Sequence, residues 1–240
     1  MTKGCVQGNP PQLLERDGEI AEIDACLADA AAEHGSFLVL EGRSGMGKSS
    51  LLAEVRRRAV RAGFASCSAT ATELEGDFAF GVVRQLFEPA VGAMREEDRA
   101  HVFEGAAALA APVLDIGGST GAGDKFATMH GLYWLAANLS AGMPLLLAVD
   151  DAHWADTASL GWLAYVLNRL DGLSIVVTIA TRPPRPDPPG GVLTAIVANP
   201  RVRILSVGPL GERSVAALVR TTLGAEPDPT FTAACLRATA

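Results

Sequence analysis

Ser36-Phe-Leu-Val-Leu-Glu-Gly-Arg-Ser-Gly-Met-Gly-Lys-Ser49 sets an apolar run directly against a glycine-rich turn that closes on a lysine and a serine. Residues 36–41 are strand-length and continuously apolar at their centre, which predicts a strand buried on both faces of a parallel sheet. Beyond the turn, Leu51, Leu52, Val55 and Ala59 recur at helical spacing, so residues 49–62 read as a helix. Residues 42–49 match G-x-x-x-x-G-K-[ST] in the strand–loop–helix setting that gives the motif its meaning. Gly42, Gly45 and Gly47 let the backbone wrap a phosphate and turn successive N–H groups inward, while the helix aims the positive end of its dipole at the same place. Lys48 then supplies a point charge to the phosphates and the Ser49 hydroxyl a ligand for magnesium. Arg43, Ser44, Met46 and Ser50 complete the expected nucleotide-binding stretch.

Outward from this centre, short apolar runs alternate with longer helical patterns, as in a parallel sheet covered by helices. Residues 64–68, 144–151, 173–181 and 202–207 read as further strands. Helices are expected over residues 77–91, with Phe78, Val82, Leu86 and Phe87 on one side, and from a cap at Asp124 to about Leu139. Another is expected to start at Asp156 or Thr157, with Leu160, Leu163, Leu167 and Leu170 inward. Residues 92–123 are rich in alanine and glycine and carry no clear period; 117–123 reads as a loop, as does the proline-rich stretch 183–189. From Leu210 the pattern turns helical, and a last helix over about 230–240 has no stop signal. The chain therefore reads as truncated there.

The strand 144–151 ends in two acids. At the C-terminal end of a buried parallel strand an aspartate lies beside the phosphate loop, where ligands collect in open α/β sheets. Asp150 is thus expected to hold magnesium through water, together with Ser49, and Asp151 to polarise an attacking water. Thr181 and Arg182 close the strand 173–181. If that strand lies between the two phosphate-site strands, Arg182 faces the γ-phosphate and Thr181 can bond the water. His153 and Trp154 read as local structure, and His130 and Trp134 as core packing.

Composition narrows the class. Apolar residues make up 49% and charged residues 20%, the profile of a globular chain. No apolar run approaches the roughly 20 residues of a spanning helix, and the N-terminus lacks a secretory apolar core, so a cytoplasmic protein with no membrane partner is expected. The cysteines, Cys5, Cys26, Cys67 and Cys235, show no paired spacing and read as isolated thiols. Net charge is −7, and the one basic cluster, Arg56-Arg57-Arg58 with Arg61, lies opposite the apolar helix face with Glu54 one turn before Arg58. A solvated face is the expectation there, and the chain by itself should not grip duplex DNA.

Four segments together, Leu13-Leu-Glu-Arg-Asp-Gly-Glu-Ile20, 42–49, 73–89 and Val149-Asp-Asp-Ala-His-Trp-Ala-Asp156, resemble the N-terminal ATPase of large LuxR-family transcriptional regulators, the MalT-like, actinomycete-type members of the STAND class. The resemblance implies an α/β P-loop NTPase of AAA-like kind, a central parallel five-stranded sheet between helices. It divides the chain into a tail (1–12), an ATPase core (13–208) and the beginning of a helical lid (209–240). It implies ATP and ADP as ligands with Mg2+, slow hydrolysis serving as a switch, and self-association in the ATP state. DNA would be engaged only through a C-terminal domain absent from this chain. By position, Leu13, Leu14 and Arg16 are similar to the family's adenine-side segment, although Glu15 stands where the family often has glycine. Two other classes share the phosphate loop: a P-loop kinase acting on a small molecule, and an AAA-type ATPase of DNA replication or remodelling.

Overall fold

A computed structural model describes residues 13–115, 124–183, 191–224 and 227–239. Five parallel strands, β1 (Ser36–Glu41), β2 (Ala65–Thr70), β3 (Leu145–Asp150), β4 (Ile175–Thr181) and β5 (Val202–Ser206), form one sheet in the order β2-β3-β4-β1-β5. β4 lies between β1 and β3, the order that the expectation for Arg182 required. The apolar runs are buried throughout because helices cover both faces, and successive residues of a strand feed opposite cores. Leu38 and Leu40 of β1 meet Ile23, Cys26, Leu27, Leu51 and Val55 on one side. Phe37 and Val39 join Val83, Leu86, Leu135, Trp162 and Leu163 on the other.

The first face is covered by α1 (Asp17–Ala31) and α2 (Lys48–Arg61). The second carries α3 (Gly81–Gly92), α4 (Glu96–Val102), α5 (Lys125–Gly142), α6 (Thr157–Leu167) and α7 (Val192–Val197), and the chain continues into α8 (Glu212–Leu223) and α9 (Pro229–Thr239). Trp162 and Phe87, both fully buried, meet edge to face at 5.4 Å and lock α6 to α3. Asp124 caps α5 through the Phe126 amide, as expected. In α2 the guanidinium of Arg58 pairs with Glu54 (2.7 Å) and with Asp24 of α1 (2.6 Å), which explains the basic run as surface pairing.

Three helices, α1, α4 and α7, were not expected from the sequence, and two packing expectations need correction. Phe78 precedes α3 and is 57% exposed, because a short helical turn at Glu73–Glu75 delays the start of α3 and leaves Phe78 outside its apolar face. Trp134 is 42% exposed: it lies on the outer side of α5, where its indole donates to His130 Nε2 at 3.1 Å. The loops expected at 117–123 and 183–189 lie outside the described residues, except Pro183, which is exposed. Among the described residues no helix is long and apolar enough to cross a membrane.

Candidate functional site

The loop between β1 and α2 is held down at both ends. The Gly42 amide bonds the Thr181 carbonyl of β4 (3.2 Å), and a Cβ on Gly42 would lie 2.5 Å from the Val207 carbonyl oxygen, so no larger residue fits between these strand ends. Gly47 caps α2 at φ +87°, a left-handed conformation that glycine adopts without strain, and Gly45 does the same at +82°. The N-terminus of α2 thereby opens onto the C-terminal edge of the sheet.

Lys48 is 6% exposed, and its ammonium donates to the Arg43 carbonyl at 2.8 Å. No carboxylate of the described residues comes within ion-pair distance of it. Burial pushes its pKa below the usual lysine value, partly opposed by Asp151 and Asp150, while Arg182 adds to the depression. The four side chains named together from sequence are thus electrostatic neighbours. A buried cation with no matching anion costs stability unless something negative joins it.

Asp150 ends β3 half-buried, and its Oδ1 accepts from the Asp151 amide at 2.9 Å. Asp151 has φ 49° and ψ 40°, a left-handed conformation that aspartate tolerates better than most residues, and its side chain stays 43% exposed. Thr181 is fully buried and its hydroxyl donates to the Arg182 carbonyl at 3.0 Å; Arg182 is exposed. Ser49 and Asp150 share a small polar cleft of about 200 Å³ with Ser68, Thr70, Gln85 and Arg56. Among the described residues no three His, Cys, Asp or Glu side chains converge on a metal position. The oxygen donors of Ser49 and Asp150 are of the kind that a hard divalent cation takes.

On the other side of the loop lies a mainly apolar cleft of about 410 Å³. Its walls are Leu13, Leu14 and Arg16, the loop residues Gly45–Gly47 with Ser50, and Val215, Leu218 and Val219 of α8. Arg16, 8% exposed, spends its guanidinium on Glu19 (2.9 Å) and on the carbonyls of Gly208 and Met46, so it braces the loop as well as lining the cleft. Glu15 holds φ 55°, in the left-handed region that glycine enters with least strain. Its carboxylate accepts from the Gly211 amide (2.7 Å) and the Ser214 hydroxyl (2.8 Å) at the start of α8. These two bonds hold its pKa below the ordinary carboxylate value.

Two residues gain weight beyond the sequence reading. Asp156, 3% exposed, caps α6 through the Ser159 amide and also takes the Phe80 amide before α3, each at 2.8 Å. His153 sits among the site's charges, with Nδ1 3.8 Å from Asp151 Oδ1.

Residues 12–178 match the family model described as the AAA ATPase domain. The chain belongs to the AAA ATPase domain family. No curated protein matches it. Among solved structures, this AAA ATPase domain is similar to the ORC2 protein of Aeropyrum pernix in ADPNP–ADP complexes, at a TM-score of 0.55 and 15% identity, covering 92% of this chain and 54% of that one. It is also similar to Drosophila ORC bound to DNA, at 0.53 and 15%, covering 89% and 48%. A STAND protein with a tetratricopeptide repeat sensor, from Pyrococcus horikoshii, gives 0.48 and 16%, covering 95% and 28%. The chain spans about half the length of the ORC chains it matches. At these identities the likeness shows the fold: a parallel α/β sheet of P-loop NTPase kind.

Proposed function

We propose that this domain binds ATP with Mg2+ and hydrolyses it slowly, as the regulatory switch of a signal-responsive transcriptional regulator. The observation that carries the nucleotide reading is the buried Lys48 ammonium without a carboxylate partner, at the N-terminus of α2 and beside an apolar cleft. Anionic phosphates supply the missing charge, and the purine fits the cleft between residues 13–16 and α8. The backbone of residues 42–47 and Lys48 bind the phosphates, with Arg43, Ser44 and Ser50 flanking them. Leu14 packs against the base, and Arg16 keeps the loop in place. Ser49 and Asp150 hold the magnesium, which neutralises charge on the phosphates. Asp151 orients the attacking water, with Thr181 and Arg182 at its far side.

The same geometry favours slow turnover. Asp151 is short and exposed, and an arginine supplied from a second protomer, where it operates, is worth about 10³–10⁵ in rate. A single protomer goes without that contribution, which leaves it a slow hydrolase. A long-lived ATP state suits a switch that must be read before it decays. The transcriptional setting rests on the resemblance of residues 13–20, 73–89 and 149–156, and DNA contact is assigned to a domain outside this chain.

Isothermal titration of the chain and of Lys48→Ala with Mg-ATP tests the site. Loss of one charge-assisted contact, about 1.5–3 kcal/mol, raises Kd about ten- to hundredfold; an unchanged Kd refutes the assignment. Steady-state phosphate release well above about 1 s⁻¹, independent of protein concentration, refutes the switch.

A further inference from the structure

His153 follows the two acids on a short helical turn, Ala152–Trp154, and the fold leaves it unsatisfied. Its side chain is 14% exposed, and both ring nitrogens are buried without a hydrogen-bond partner among the described residues. The ring packs on Trp154 at 5.0 Å, a contact that a phenylalanine would make without burying polar atoms. Unmade hydrogen bonds at buried nitrogens are costly, so the histidine calls for a use that packing does not supply.

Its surroundings indicate the use. Asp151 Oδ1 lies 3.8 Å from Nδ1, too far for a hydrogen bond and near enough that a small rotation makes one. Burial pushes the ring's pKa below the ordinary histidine value; Asp151 and Asp150 oppose this, and Arg182 and Lys48 reinforce it. The ring is therefore neutral near pH 7, with one N–H and one lone pair. A lone pair facing a carboxylate would repel it, so the proton belongs on Nδ1 and the lone pair on Nε2.

We propose that His153 is a positioning residue for hydrolysis, donating from Nδ1 to Asp151 and so fixing that carboxylate against the water it polarises. This rests on the reading of Asp151 given above. Asp151 needs such a guide: its side chain is short and close to half exposed, and the bond from its amide to Asp150 orients only its backbone. The imidazole reaches it from the buried side and removes its rotational freedom.

Two measurements on the full chain test this. In long-range ¹H–¹⁵N spectra of ¹⁵N-histidine protein, the set of signals lost in His153→Phe should show the Nδ1–H tautomer; the Nε2–H tautomer overturns the proposal. In steady-state phosphate release, His153→Phe should lower kcat about tenfold, the value of one lost hydrogen bond, with KM within about twofold. His153→Asn, whose amide nitrogen falls near the Nδ1 position, should recover kcat to within about threefold. In an Asp151→Asn background, His153→Phe should cost nothing further. An unchanged kcat, a matching loss of affinity, failure of the asparagine to rescue, or additive losses each overturns the proposal while the ATPase reading stands. Should His153→Phe fail to fold, the tautomer, assigned through His153→Asn, and the asparagine kinetics decide it. A wild-type chain without turnover defeats both readings together.

Discussion

Asp156→Ala removes a carboxylate that begins two helices. The Asp156 side chain caps α6 through the Ser159 amide (2.8 Å), takes the Phe80 amide (2.8 Å), and reaches the Val82 amide at 3.4 Å. α3 has no cap from its own N-cap residue, Phe80, which sits at φ 61°. The α6 cap is worth about 1 kcal/mol. The orphaned Phe80 amide costs about 1–3 kcal/mol, and the longer Val82 bond adds less than that. The expected loss is about 3–4 kcal/mol, a large share of a domain's total stability. For a chain of this size that lowers Tm by about 6–16 °C. Urea unfolding followed by circular dichroism measures the loss directly, with Asp156→Asn as the control. Its carbonyl still accepts from Phe80 and Ser159, so it should lose only about 1–2 kcal/mol. A loss below about 1 kcal/mol for the alanine variant would mean that water or the backbone replaces the carboxylate, and the reasoning would fail.

Asp150→Asn should weaken nucleotide binding more in magnesium than in EDTA, since it removes the anionic partner of the metal; equal losses by titration calorimetry would make Asp150 structural only. The Glu15 carboxylate, held below its ordinary pKa by the Gly211 amide and the Ser214 hydroxyl, contributes stability above the unfolded pKa and loses it as pH falls through the folded value. The stability gap between the wild type and Glu15→Gln, from urea unfolding at successive pH, should therefore close below the usual carboxylate range, and a pH-independent gap would refute a stabilising role for the ionised carboxylate. Burial pushes the Cys67 thiol up to about 11 and raises that of Cys26, so both should resist a thiol reagent at about pH 8 until the chain unfolds. Free-thiol labelling rates in the folded protein would contradict their burial.

The parts of this fold set by local pattern were legible in the sequence. The central strands are unbroken apolar runs, and the turn after β1 is a motif whose glycines have one geometric use. The place of β4 between β1 and β3 is not legible there, because periodicity does not encode which strands pair. α1 was missed although Ile23, Cys26, Leu27 and Ala30 carry the helical spacing; its many alanines and acids dilute the apolar stripe. Phe78 reads as part of α3 because an apolar residue four positions before Val82 fits the helix period, and only the tertiary contact of Asp156 with Phe80 shows where that helix starts. Asp150, Asp151 and Arg182 stand out in the sequence by their positions at strand ends, and the fold brings them near Lys48. His153 was not, because burial without a partner is a property of three-dimensional packing, and its only sequence signal is its place beside two acids.

The Glu15–Gly211 bond spans 196 residues of chain. Both walls of the apolar cleft meet there, so a growing chain cannot assemble the cleft until α8 has been synthesised, directly after β5 completes the sheet. Closing a loop of such length is entropically the latest gain in folding. A ligand lodged between residues 13–16 and α8 would act as a non-covalent staple across almost the entire sequence, slowing unfolding and shielding both flanking segments from proteases in proportion to its concentration.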